Sequence, residues 1–332
     1  MTSPTISLVL GSGGARGYAH IGAIEELRAQ GFDIRSVAGS SMGALIGGVY
    51  AAGKLDAYRD WAIALQRFNV LRLLDWTFTG GGLIKGDRII GKLRDLIGEV
   101  NIEDLPISYT AVAVDLMAQR EVWFSRGSLF DAIRASIAIP TVFRPHYYQG
   151  RTLVDGGLVN PVPITPTLRD LTDCTIAVDV NAPAESPEDD GAATDPAPCD
   201  AIARDDSVQP IAEELPAPQS PMITETNATP VVQGYRQRIS EFIDGLVEKR
   251  EKKQEQENPH NASLLETFAL SLDVVQETIT RFKLAAQPPD LVIAIPRNVC
   301  AFYEFHRAEE LIEFGRARTR EALRHFKLSR RR

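Results

Sequence analysis

Cysteine is scarce in this chain. Cys174, Cys199 and Cys300 are odd in number, lie far apart and form no CxxC pair, which excludes a disulfide framework and points to a reducing, cytoplasmic setting. Long apolar runs are lacking too. No stretch reaches the roughly 18 consecutive apolar residues a spanning helix needs, so bilayer contact is expected to be peripheral, at the inner membrane face. The opening Met1-Thr2-Ser3-Pro4 has no basic start, and the short apolar run behind it passes straight into glycines, unlike a secretory leader. Nor is there a basic excess: 36 Lys and Arg against 44 Asp and Glu leave a net charge of -8, which argues against a nucleic-acid partner.

The acidity that is present belongs to one segment. Between Glu185 and Pro230 stand eleven acidic residues and one basic residue, Arg204, a local charge of -10, so that the other residues together carry +2. Nine prolines fall between Pro183 and Pro230, with no periodic apolar residues among them. Residues 183–233 therefore read as an acidic, proline-rich disordered insertion. A polar, projecting helix is expected over 234–261, and residues 262–332 then complete the domain that residues 1–182 begin.

On both sides of the insertion, short apolar runs alternate with helical patterns. Strands are expected at Thr5 to Leu10, Ser36 to Ala38, Ser108 to Val114, Glu121 to Phe124, Thr152 to Val154, Thr175 to Val180 and Leu291 to Ile295. Helices are expected over Gly17 to Gln30, Met42 to Ala52, Ser128 to Ile137, Ala262 to Ala286 and Phe305 to Phe326. This alternation predicts an α/β fold, three layers α/β/α around a mostly parallel central sheet.

Gly39-Ser40-Ser41-Met42-Gly43 lies between a strand and a helix and fits G-x-S-x-G, the context in which a serine is held exposed on a strained elbow. Five residues of this kind also arise by chance in small-residue turns. A second glycine turn, Gly11-Ser12-Gly13-Gly14-Ala15-Arg16-Gly17, follows the first strand. Its backbone N–H groups at Gly13, Gly14 and Ala15 could line an oxyanion hole, and Arg16 could add charge there. A dinucleotide fingerprint is the competing reading, but Arg16 stands where the third glycine belongs and Asp33 precedes the next strand instead of ending it.

A nucleophilic serine needs a base. Of the five histidines, His20 and His260 read as packed or solvated, His306 and His325 fall in the last helix, and His146, after Pro145 in a loop, is the one worth testing. The other candidate is Asp155 in Leu153-Val154-Asp155-Gly156-Gly157. Asp-Gly is by itself a hairpin signal, and an ordinary carboxylate is a poor base at neutral pH unless burial raises its pKa. No His, Cys or carboxylate cluster suggests a metal, and no cofactor is expected. The apolar stretch holding Phe68, Leu73, Trp76 and Phe78 reads either as a buried helix or as a cap over an acyl-chain pocket.

Taken in order, these motifs resemble the patatin-like phospholipases, particularly bacterial proteins related to the catalytic domain of neuropathy target esterase. Gly13-Gly14-Ala15-Arg16-Gly17, Gly39 to Gly43 and Asp155-Gly156-Gly157 carry the likeness. Gly81 to Gly86, Ala135-Ser136-Ile137-Ala138-Ile139-Pro140 and Asn160-Pro161-Val162-Pro163 support it. It covers residues 5 to 182 closely and 262 to 325 more loosely. The resemblance implies a serine hydrolase of lipid acyl esters, a phospholipase, lysophospholipase or carboxylesterase, working through an acyl-enzyme. Ser41 would be the nucleophile, Asp155 its base, and Gly13 to Ala15 the oxyanion donors. Two alternatives remain at this point: a non-catalytic regulatory protein on the same scaffold, and a Ser-His-Asp α/β-hydrolase using His306 or His325.

Overall fold

A computed structural model describes residues 3–65, 82–84, 86–185 and 264–326. The acidic insertion from residue 186, the expected helix over 234–261, and the four cap residues Phe68, Leu73, Trp76 and Phe78 lie outside the described residues.

The central sheet is built from β1 (Thr5–Leu10), β2 (Asp33–Ser40), β4 (Ser108–Asp115), β5 (Arg120–Phe124), β7 (His146–Tyr148), β8 (Arg151–Asp155), β9 (Cys174–Ala182) and β10 (Leu291–Pro296). Its order is β10-β9-β1-β2-β4-β8-β7, with β5 paired to β4. The pairs from β10 to β4 are parallel, whereas β5 and β8 run antiparallel to β4, so the sheet is mostly parallel. A short β3 (Gly82–Ile84) pairs separately with β6 (Thr141–Phe143).

Side chains alternate across the sheet with the two-residue period of a strand. Ile6, Leu8 and Leu10 of β1, with Ile176 and Val178 of β9, enter the main core. There they meet α1 (Ala19–Ala29), α2 (Met42–Ala51), α5 (Leu129–Ser136) and α7 (Ala308–His325). Val9 and Ala177 point the other way, into a smaller cluster with Val162 and Ile164, against which Leu284 of α6 (Leu264–Ala286) packs. Helices thus cover both faces, and Met1–Pro187 with Leu265–Arg332 fold as one unit.

Several elements differ from the sequence expectation. The first helix opens with a 3-10 turn, Gly14–Tyr18, before α1. Strand β2 begins three residues early because Asp33 and Ile34 pair with Thr5 and Ile6. Helices α3 (Leu55–Ile63) and α4 (Asp87–Ile97) were not expected; they bury only Leu55, Tyr58 and Ala62, and Ile90 and Leu93.

One junction in this sheet positions the chemistry. On one edge of β4, β2 ends with Ser40 opposite Val112, and β8 ends with Asp155 opposite Ala113. Strand β5 occupies the other edge from Ala111 to Asp115, so β2 and β8 must share the first edge. Their carboxyl ends therefore meet head-on at adjacent positions of β4.

Candidate active site

Ser41 is the first residue past β2, and α2 starts at Met42. Its φ of 54° and ψ of -122° lie where L residues are disfavoured, a strain that a surrounding structure must enforce. The glycines of the motif allow that enforcement. A Cβ on Gly43 would sit 2.1 Å from the Leu10 carbonyl oxygen, and one on Gly39 would sit 2.4 Å from that of Gly43. The Ser41 N–H donates to Ser136 Oγ at 2.9 Å, and Ser136 in turn donates to the Val112 carbonyl at 2.6 Å. The elbow is thus pinned to β4 through the last residue of α5.

The head-on junction brings Ser41 and Asp155 together. Ser41 Oγ donates to Asp155 Oδ2 at 2.5 Å, although the two residues stand 114 positions apart. Gly157 N–H donates to the second oxygen, Oδ1, at 2.7 Å. Both side chains are buried, at 4% and 2% exposure. Burial pushes the Asp155 carboxyl up to about 7, and the hydrogen bonds from Ser41 and Gly157 only partly offset it. A carboxylate so placed can accept a proton near neutral pH while holding the hydroxyl beside it.

The glycine turn packs against this pair. A Cβ on Gly157 would meet Ser12 Cβ and Oγ at 2.8 Å, so the turn and the Asp155 loop are in van der Waals contact. Within the turn the structure sorts the expected donors. Ala15 N–H is taken by the Phe302 carbonyl at 2.8 Å, whereas those of Gly13 and Gly14 donate to no acceptor among the described residues. Arg16, expected to lend charge to an oxyanion, is 3% exposed and otherwise engaged. Its Nη1 donates to the Arg297 carbonyl, its Nη2 to Asp273, both at 3.0 Å, and its Nε to the Gly13 carbonyl at 3.3 Å. A guanidinium with its donors committed in this way braces the turn.

His20 and His146 are hydrogen-bonded to groups other than Ser41 and Asp155. His20 is fully buried, donates from Nε2 to the Gly11 carbonyl at 2.8 Å, and burial lowers its pKa to about 4, so it is neutral. His146 donates to Asp131 at 3.0 Å, with burial depressing its pKa and Asp131 opposing that effect. His306 sits in a 3-10 turn and His325 ends α7, while His260 is outside the described residues. Among the described residues no group of three His, Cys, Asp or Glu side chains converges as a metal ion requires, and Cys174 and Cys300 are buried. No helix among them is long and apolar enough to cross a membrane.

Sequence reasoning gave no role to Ser136 or Asn181. Ser136 lies in Ala135 to Pro140, a stretch the resemblance already marked. Asn181 lies beyond the expected end of its strand, yet it and Asp179 are polar residues buried in an otherwise apolar run, which is itself a signal.

The comparisons with known proteins identify the family. A family model of patatin-like phospholipases matches residues 8–168. An uncharacterized NTE family protein of Mycobacterium tuberculosis is 40% identical over 98% of this chain and 93% of its own length. A neuropathy target esterase of Drosophila persimilis is 34% identical over 49% of this chain and 12% of that protein. The structure of VipD from Legionella pneumophila, 16% identical, covers 54% of this chain and 50% of its own at a TM-score of 0.34, too low to bear on the fold. With 40% identity along nearly its whole length, the chain belongs to the NTE family of patatin-like phospholipases.

Proposed function

We propose that this protein hydrolyses carboxylic esters of lipids, phospholipids or lysophospholipids, through a Ser41–Asp155 dyad. The observation that carries the reading is the 2.5 Å contact between a strained, buried serine and a carboxyl raised to about 7. Asp155 takes the Ser41 proton as Oγ attacks the ester carbonyl, forming a tetrahedral oxyanion. The N–H groups of Gly13 and Gly14 supply the donors for that charge, and the amino end of α2, which Ser41 caps, adds its dipole. Asp155 then returns the proton to the departing alcohol. Water attacks the acyl-enzyme with Asp155 again as base, releasing the fatty acid and restoring Ser41. Family membership supports the lipid substrate, and Phe68, Leu73, Trp76 and Phe78 supply its acyl-chain cap in this reading. The dyad needs no metal or cofactor. Contact with lipid is peripheral, on the cytoplasmic side of the membrane.

The test is fluorophosphonate labelling of the purified protein, together with hydrolysis of p-nitrophenyl butyrate and lysophosphatidylcholine. Ser41→Ala should abolish labelling and hydrolysis, Asp155→Asn should lower both by about 100-fold or more, and His306→Ala should preserve both. Labelling kept in Asp155→Asn and lost in His306→Ala would instead identify a histidine-dependent hydrolase. A wild type that neither labels nor hydrolyses any ester is a non-catalytic member of the family.

A further inference from the structure

In a trans peptide the C=O and N–H point in opposite directions, so whatever grips the carbonyl aims the N–H. No peptide bond among the described residues is cis, so this holds for both peptides that present the N–H groups of Gly13 and Gly14. The Gly13 carbonyl, which orients Gly14 N–H, accepts from the Arg16 N–H at 3.2 Å and from Arg16 Nε. The Ser12 carbonyl, which orients Gly13 N–H, accepts from Asn181 Nδ2 at 2.9 Å. A carbonyl can only accept, so the Asn181 amide nitrogen must face Ser12.

Asn181 is held in turn by Gln276 of α6. Gln276 Oε1 accepts from Asn181 Nδ2 at 3.0 Å and from Ser12 Oγ at 3.1 Å, so one oxygen ties both the strand residue and the glycine turn. Asn181 and Gln276 are 4% and 7% exposed, and in such a setting a hydrogen bond is not readily exchanged for one to water. Asp273, one turn earlier on α6, holds Arg16. Each donor peptide is therefore fixed by a residue that α6 itself secures. On its other contacts α6 is an ordinary docked helix, as where Lys283 meets Glu121 at 2.9 Å.

We propose that Asn181 and Gln276 are positioning residues for the oxyanion donors, Asn181 aiming Gly13 N–H by holding the Ser12 carbonyl and Gln276 locking Asn181 from α6. The proposal rests on the reading of Ser41 as the nucleophile of an ester hydrolase. It extends the active site to the first helix described after the acidic segment.

The test compares wild type, Asn181→Ala, Gln276→Met and Lys283→Met as full-length proteins, each checked for folding by circular dichroism and melting temperature. Hydrolysis of p-nitrophenyl butyrate gives kcat, KM and the pH profile, and fluorophosphonate labelling gives a rate and a final stoichiometry at Ser41. Loss of a whole oxyanion donor lowers kcat by about 100-fold or more, so mis-aiming one should lower it about tenfold in Asn181→Ala and somewhat less in Gln276→Met. KM should stay within about twofold and the pH midpoint should not move, because the bond between Ser41 and Asp155 is untouched. Labelling should slow by the same factor as kcat yet still reach one per chain, and Lys283→Met should keep the wild-type kcat. Folded Asn181→Ala and Gln276→Met proteins with wild-type kcat would overturn the proposal. So would an equal loss in Lys283→Met, which would mean that any loosening of α6 suffices. If Asn181→Ala does not fold, Gln276→Met alone decides between these outcomes. A wild type that does not label at Ser41 overturns the dyad reading and this proposal with it, whereas labelled wild type with unimpaired variants overturns this proposal alone.

Discussion

Glu26 on α1 and Asp155 at the end of β8 are almost equally covered, at 3% and 2% exposure, yet their surroundings push their acidities in opposite directions. Glu26 is gripped by the Arg320 guanidinium through Nε at 3.1 Å and Nη2 at 2.8 Å, which holds its carboxyl below the usual range. Among the described residues Asp155 receives only a hydroxyl and an amide N–H, and burial raises it to about 7. Covering alone does not decide a carboxylate's acidity, because a cation beside it can outweigh burial. Around Glu26 the neighbouring Glu25 pairs with Arg59 and Arg316, so that region reads as cross-bracing among α1, α3 and α7. Asp155 has no such cation beside it among the described residues, which leaves a carboxyl that can act as a base.

The largest effect that would sharpen this contrast is expected from Asp155→Asn, with kcat falling about 100- to 10,000-fold as the base is lost. The same substitution should raise thermal stability at pH 8. The folded carboxyl, near 7, lies above the unfolded value of about 4, so ionisation costs the native state stability as pH rises between the two. Asparagine removes that cost. A series of melting temperatures should show the gain complete above about pH 7 and gone below about pH 4, and a variant equally stable at both ends would break the comparison.

Next in size is the pH dependence of wild-type hydrolysis. Activity should fall about tenfold per pH unit below the midpoint, because only ionised Asp155 accepts the proton. A kcat/KM profile with its acid limb near 7 agrees, and one near 4 would show that Asp155 is solvated like any surface carboxylate. A smaller loss is expected from Gly43→Ala, whose Cβ would strike the Leu10 carbonyl. Denaturant unfolding should show about 3 kcal/mol lost, against a slight gain for Gly91→Ala, where a Cβ meets nothing within 4 Å. The smallest is Glu26→Gln, expected to cost about 1 kcal/mol or less because Arg320 is half exposed, with kcat unchanged.

How much of this was legible in the sequence follows the range over which each feature is specified. The apolar run Thr5–Leu10, the small-residue elbow around Ser41 and the strand before Asp155 are local patterns, and they could be read directly. The contact between Ser41 and Asp155 is not local. It depends on where β2 and β8 each stop along β4, a matter of register that no window of sequence contains, and it was foreseen only through the order of motifs shared with a family. The assignments inside the glycine turn were out of reach for the same reason. The acceptor of Ala15 N–H comes from Phe302, and the partners of Arg16 come from Asp273 and Arg297, all beyond the acidic segment. Helix α4 was legible and was missed: Ile89, Ile90, Leu93, Leu96 and Ile97 recur at helical spacing, and all five are buried in or packed against the main core.

The meeting of β2 and β8 on one edge of β4 makes that strand a ruler. Val112 and Ala113 are adjacent marks, one for the strand that delivers Ser41 and one for the strand that delivers Asp155. A slip of one residue in either strand would shift its end by about 3.3 Å and turn its side chains to the opposite face, more than a hydrogen bond tolerates. Loops between the marks can lengthen or shorten without touching the alignment, but the strands themselves cannot. If the dyad carries the activity, hydrolysis doubles as a gauge of sheet closure: in a refolding chain, activity would return only after both strands have seated on β4.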